Sequence, residues 1–144
     1  MISLTKIFDF ELAHAIHGYP GSCSLIHGHS YELQVTVSDR LPHQEPIPGL
    51  GLIVDFKTIK ALVKEHIIKP LDHGLLLSAA YTEAHPEFKS LPNLVVWDIE
   101  PTAENMLIVF RKMLERELPK GIYLTALKLF ETKQSFAEWR YSPE

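Results

Sequence analysis

Residues 27–39 read HGHSYELQVTVSD, and their odd positions, His27, His29, Tyr31, Leu33, Val35 and Val37, carry two imidazoles followed by apolar side chains. The even positions are mostly polar. This period of two predicts an extended strand with one face against a core. On a strand His27 and His29 project from the same face, whereas on a helix they would diverge by about 200°. Upstream, Phe8, Phe10, Leu12 and His14 share one parity, opposite to Asp9 and Glu11. If the two segments pair antiparallel, His14, His27 and His29 gather at one end of one apolar face. Three neutral imidazole nitrogens with an open fourth position form the ligand set of a catalytic zinc, and spacing offers no fourth ligand. His17 lies in the intervening loop on the opposite parity to His14, outside this set.

The rest of the chain reads outward from this hairpin. Strands are expected from about Ile2 to Ala13 and from about His29 to Asp39, joined by a loop holding Gly18, Pro20, Gly21 and Cys23. After a loop rich in Pro and Gly, Asp55 is placed to cap a helix with Phe56, Ile59, Leu62, Val63 and Ile67 at helical spacing, ended by Pro70. Thr102 is placed to cap a second helix, with Glu104 in its first turn and Met106, Leu107, Phe110, Met113, Leu114 and Leu118 along one face. The segments from Ile122 to Glu131 and from Phe136 to Tyr141 predict a closing hairpin. The expected order is strand, strand, helix, helix, strand, strand, an α+β domain spanning residues 1–144.

Two features strain a simple monomer. The third strand is apolar on both faces apart from Thr125 and Lys128, while two helices cover only one face of a four-stranded sheet, so the other face calls for a partner. The stretch from Gly74 to Pro101 is long for a connection and holds one brief strand-like run, Leu94 to Trp97. It reads as an interface element, a lid or a mobile loop.

Composition narrows the classes of function. A chain of 144 residues, 46% hydrophobic and 22% charged, fits one compact domain. A net charge of −4 and a pI near 6.0 give no overall attraction to nucleic acid or an anionic membrane. One cysteine forms no internal disulfide, and neither a signal-peptide core nor an apolar run long enough to span a membrane is present. These traits predict a soluble, cytoplasmic protein.

Other residues read either way on local grounds. Cys23 lies four residues before His27 in a polar loop, where a nearby cation would favour its thiolate as a base; it reads equally as an inert loop thiol or a fourth metal ligand. Asp72 and His73 follow the first helix, and a carboxylate that fixes an imidazole tautomer suits proton transfer, but a solvated helix-end pair has the same sequence. Glu131 reads as a turn residue or, facing a pocket, as an acceptor of paired hydrogen bonds from an amino-pyrimidinone edge.

In joint order the chain carries Phe10, Ala13 and His14; Cys23, with three residues between it and His27, then Gly28 and His29; Val54, Asp55 and Phe56; Leu71, Asp72 and His73; Pro101 to Asn105; and Glu131 with Thr132 ahead of Ala137 and Glu138. In these residues it resembles the 6-pyruvoyl-tetrahydropterin synthase and 6-carboxy-tetrahydropterin synthase family over nearly its whole length. The resemblance implies the tunnelling fold, a four-stranded antiparallel sheet with two helices on one face that oligomerises into barrels. It also implies a homohexamer of two stacked trimers with active sites between subunits.

By position, the same resemblance implies that His14, His27 and His29 hold Zn2+, that Cys23 abstracts a proton, and that Asp72 with His73 forms a second acid/base relay. Glu131 would anchor the pterin ring, assisted by Thr102. The implied substrate is 7,8-dihydroneopterin triphosphate. The expected lyase reaction gives 6-carboxy-5,6,7,8-tetrahydropterin with loss of triphosphate and acetaldehyde, toward 7-deazaguanine and queuosine. The alternative is 6-pyruvoyl-tetrahydropterin formation by triphosphate elimination. Outside this class stand a zinc hydrolase, which would leave Cys23 without a role, and a non-catalytic pterin- or zinc-binding module. The chain departs from the family pattern at Ala15, where Arg is common, at Gly74 to Leu77, where a Leu-Asn step is common, and in a longer segment from Ser78 to Asp98.

Overall fold

The computed structural model describes residues 1–143. Two long strands, β1 (Leu4–His14) and β2 (His27–Ser38), pair antiparallel over their full length, from Leu4 opposite Val37 to His14 opposite His27. The period-two reading places every core residue of this hairpin correctly. Phe8, Phe10 and Leu12 of β1 and Tyr31, Leu33, Val35 and Val37 of β2 are all buried. Phe10 stacks on Tyr31 with ring centroids 5.1 Å apart, contributing about 0.5–1.5 kcal/mol beyond the area buried.

The helices cover this face. Asp55 caps α1 (Phe56–Val63), its carboxylate accepting from Lys57 N at 2.8 Å. A π-helical segment, Lys64–Ile68, continues α1 into the short α2 (Lys69–Leu71). Pro70 therefore lies inside the last turn instead of ending the helix before it, and Asp72 N still donates to Ile68 O at 2.7 Å. The wider π turn falls just ahead of the proline, which has no N–H for a regular ladder. Ile59, Val63 and Ile67 face the core, whereas Phe56 is exposed. Thr102 caps α4 (Ala103–Glu117), which buries Met106, Leu107, Phe110 and Leu114. Full burial of a side chain of this size contributes about 1.5–3 kcal/mol.

The sheet is larger than the four antiparallel strands expected. It has six strands in the order β4-β3-β1-β2-β5-β6, and the expected antiparallel set, β1, β2, β5 (Tyr123–Thr132) and β6 (Ser135–Arg140), forms one side of it. The long segment after Gly74 supplies the remainder. Strand β3 (Gly74–Ser78) pairs parallel to β1, and β4 (Leu94–Trp97) pairs parallel to β3. Between them lie the helix α3 (Ala79–Ala84) and a 3-10 turn, Pro86–Ser90. All five residues of β3 are buried. A strand covered on both faces has no alternation to read, so Leu75, Leu76 and Leu77 carry no strand signature in sequence.

The third strand holds apolar side chains on both faces, as expected, with Ala126 and Phe130 beside Lys128 on the uncovered one. A β-bulge at Thr125 lets Val37 face Leu124 and Thr36 face Ala126, so Leu124, Leu127 and Leu129 all point into the core despite their mixed parity. The third strand is thus apolar on its core face. The open face carries Thr5, Asp9, Glu32, Gln34, Thr36 and Lys128 together with Ile7, Ala126, Phe130 and Phe136, the last two stacked with ring centroids 4.5 Å apart. No helix is long and apolar enough to cross a membrane among the described residues.

Candidate metal centre

The β1–β2 register brings the three histidines together at the end of the apolar stripe. His14 sits opposite His27, His29 sits opposite Leu12, and their ligating atoms lie within 4.8 Å of one another. Main-chain carbonyls orient two of the rings: His14 Nδ1 donates to Pro101 O and His27 Nδ1 donates to Leu25 O, each at 2.7 Å. A carbonyl only accepts, so in each neutral ring the hydrogen is on Nδ1 and the lone pair is on Nε2. These two Nε2 atoms face each other at 3.0 Å. His29 Nε2 is buried with no hydrogen-bond partner, and the carboxylate of Glu131 lies 3.5 Å from it. Two lone pairs facing each other, with a third imidazole nitrogen beside them that lacks a hydrogen-bond partner, fit a cation, and zinc–nitrogen distances of about 2.0–2.1 Å suit such a cluster.

Burial disfavours charge on these rings. His14 is held below its ordinary pKa first by burial, reinforced by His27 and His29 and opposed by the Pro101 carbonyl and Glu131. His29 is likewise lowered by burial and opposed by Glu131. Neutral imidazoles are the metal-binding form. Tyr31 forms the floor, its hydroxyl 3.4 Å from His14 Nδ1, and burial pushes its pKa far above the usual phenol range, so it stays protonated.

A family model described as 6-pyruvoyl tetrahydropterin synthase matches residues 3–142. The chain belongs to the 6-pyruvoyl tetrahydropterin synthase family. Among its relatives, the chain is 31% identical to a 6-carboxy-5,6,7,8-tetrahydropterin synthase of Rickettsia typhi, with 96% of this chain and 99% of that protein covered. It is 27% identical to the protein of the same name from Haemophilus influenzae, with 97% and 99% covered. The fold is similar to that of Caenorhabditis elegans 6-pyruvoyl tetrahydropterin synthase, with a TM-score of 0.70 at 19% identity, 98% of this chain and 96% of that chain covered. An uncharacterized Wolinella succinogenes protein has a TM-score of 0.79 at 20% identity, with 98% of both chains covered.

In this member of the family, Glu131 shares the face and the immediate surroundings of the triad. Thr102 is one residue from the carbonyl that holds His14, but its hydroxyl already accepts from Asn105 N at 3.1 Å as the helix cap. Cys23 lies half-buried in a 3-10 turn, Ser22–Ser24, and its carbonyl accepts from Ile16 N at 2.8 Å, tying the loop to the end of β1. Its sulfur is outside the cluster of ligand atoms, so the fourth-ligand reading gains no support among the described residues.

Asp72 and His73 do touch, with Asp72 Oδ1 3.1 Å from His73 Nδ1. The same oxygen accepts from Glu11 N at 2.8 Å. The Glu11 N–H, and after it the His73 ring, hold the Asp72 carboxyl below its ordinary pKa. His73 itself takes φ +61°, with its N donating to Glu11 O at 2.7 Å. No hydrogen bond or ion pair joins this couple to the triad or to Cys23 among the described residues, and the His73 side chain is 78% exposed.

Sequence reasoning missed the parts of the site made by main chain. The carbonyls of Pro101 and Leu25 leave no side-chain signal. Glu100, whose Oε1 accepts from His17 N at 2.6 Å, reads in sequence as one acid in a loop.

Proposed function

We propose that this chain is a zinc-dependent lyase that converts 7,8-dihydroneopterin triphosphate and water to 6-carboxy-5,6,7,8-tetrahydropterin, triphosphate and acetaldehyde. The observation that carries this reading is the convergence of three imidazole nitrogens within 4.8 Å of one another with Glu131 beside them, in a chain that aligns end to end with relatives bearing that activity in their names. Held by His14, His27 and His29, zinc would acidify the carbon-bound hydrogen next to the substrate's side-chain oxygens.

The chain's own groups then divide the work. Glu131 accepts hydrogen bonds from the ring N–H and exocyclic amine of the pterin, fixing its orientation, with Thr102 at the rim. Cys23 takes the proton from the substrate side chain. Asp72 fixes His73 with Nδ1 toward the carboxylate, which leaves Nε2 to exchange a proton with substrate.

An oriented imidazole that remains exposed in one chain is what a site completed by another copy would show. We assign Asp72 and His73 to a neighbouring chain's site within a homohexamer, a dimer of trimers. The open edges of β4 and β6 and the uncovered sheet face support self-association. Incubation of the purified protein with dihydroneopterin triphosphate, followed by product identification, tests the reading. Carboxy-tetrahydropterin with acetaldehyde is the expected result. Pyruvoyl-tetrahydropterin would move the chain to the other family reaction, and unconsumed substrate would overturn both.

A further inference from the structure

The segment between β3 and β4 plays no part in the reading above, yet it is fastened to the loop that carries Cys23. Tyr81, on α3, is 5% exposed and packs with Ala15, Leu75 and Leu77 in a second small core. Its ring lies 4.4 Å from that of His85 and 6.2 Å from that of His17, centroid to centroid. At the end of this buried ring the hydroxyl donates to Ser24 O at 3.1 Å.

Ser24 immediately follows Cys23. The turn they share has little internal support, only Ser24 N to Gly21 O at 3.1 Å, Leu25 N to Ser22 O at 3.0 Å and the Ser24 hydroxyl back to Gly21 O. Its two central carbonyls are instead held from outside. Cys23 O receives Ile16 N from the end of β1, and Ser24 O receives Tyr81 from α3. The plane that Tyr81 holds also carries the Leu25 N–H, which donates to Ser22 O, so the clamp reaches the peptide plane before Cys23 while Ile16 N holds the plane after it; with both planes restrained, the direction of the Cys23 Cα–Cβ bond is set.

We propose that Tyr81 is a positioning residue: its hydroxyl clamps the Cys23 turn from the inserted segment and sets the direction in which the thiol meets substrate. This rests on the assignment of Cys23 as the base. The inserted segment is then neither a lid nor a mobile connection but a buttress for the catalytic loop. A thiol displaced by a fraction of an ångström still binds nothing differently, but it transfers a proton poorly, so the effect falls on turnover.

Tyr81→Phe keeps the ring and its packing while removing the clamp. The expected result is full zinc content and an unchanged KM, a kcat reduced by about tenfold, and alkylation of Cys23 by iodoacetamide faster by about threefold as the turn loosens. Phe88→Leu trims a ring packed against the same small core that has no polar link to the loop. It should lower the melting temperature at least as much while leaving kcat near wild type. A wild-type kcat in Tyr81→Phe, or an equal loss in Phe88→Leu, overturns the proposal. If Cys23→Ala retains turnover, the assignment of the base fails on its own. An unchanged alkylation rate in Tyr81→Phe would overturn the clamp whatever the reaction.

Discussion

The Nε2 atoms of His14 and His27 face each other at 3.0 Å while the Nδ1 of each ring is committed to a carbonyl. Neither ring can turn to offer a proton without abandoning its carbonyl, so the pair is suited to hold a cation between them. His27→Ala is expected to drop zinc from about one per chain to near none, because two remaining protein ligands hold zinc poorly. Metal analysis of the purified variant checks this, and undiminished zinc would place the metal elsewhere.

The protonation of the same rings sets a pH limit. His14 and His29 are held below their ordinary value of 6.5, chiefly by burial. Below 6.5 the unfolded chain therefore takes up more protons than the folded one, and stability falls with pH from that point down toward the folded values. The metal-free protein should show its denaturation midpoint decreasing between about pH 7 and pH 5, and zinc should push the decline to lower pH by competing with protons. A flat profile would mean that the rings are charged in the folded state.

Binding and chemistry separate at Cys23. Cys23→Ala removes a thiol that lies outside the ligand cluster, so zinc and pterin affinity should persist. Turnover should fall by a factor of about 10² or more, the loss expected for a positioned base. Wild-type turnover would exclude the thiol from the reaction.

At Glu131 the test is of the ligand. Glu131→Gln replaces an acceptor oxygen by a donor, leaving two donors opposed at a cost of about 1–3 kcal/mol. Pterin binding followed by fluorescence titration should weaken by about tenfold or more. Zinc content should hold, since Glu131 is a neighbour of His29 and not a member of the triad. Loss of zinc in this variant would make Glu131 a metal ligand instead of a pterin anchor.

If His73 serves the site of another copy, two inactive variants should repair each other. Cys23→Ala and His73→Ala chains, unfolded together and reassembled in equal amounts, should recover about a quarter of wild-type activity, the share of sites that draw Cys23 from one chain and His73 from the other. Light scattering on the same samples gives the assembly size. No recovery, with a stable monomer, would return Asp72 and His73 to the surface pair they resemble within one chain.

The metal centre was legible because its ligands are side chains set by strand parity: His14, His27 and His29 fall on one face for the same reason that Phe10, Tyr31 and Leu33 do. Glu131 joined them through the β2–β5 pairing, which the sequence suggests but does not locate. Where parity stopped being informative, the reading failed. Leu75 to Leu77 are covered on both faces and have no polar positions to mark a strand, so β3 passes for a connection, whereas the strand-like run from Leu94 to Trp97 is β4. The bulge at Thr125 exchanges parity within β5, a shift that no pattern of two announces, so that Leu124 joins Leu127 and Leu129 in the core while Ala126 and Phe130 stay on the open face. Tyr81 could not be found because its role depends on which carbonyl its hydroxyl reaches, and only the folded loop decides that.

Glu100 and Pro101 form a clasp with two ends. The Pro101 carbonyl holds His14, the Glu100 carboxylate holds the backbone of His17, and the Glu100 carbonyl is itself held by Asn105 Nδ2 at 2.9 Å. The spacing between His14 and the thiol-bearing loop is thereby set by two adjacent residues that are themselves anchored to the first turn of α4. A change in the core that moved α4 would therefore carry both holds with it, so the helix, the His14 end of the hairpin and the loop behind it are adjusted as one body.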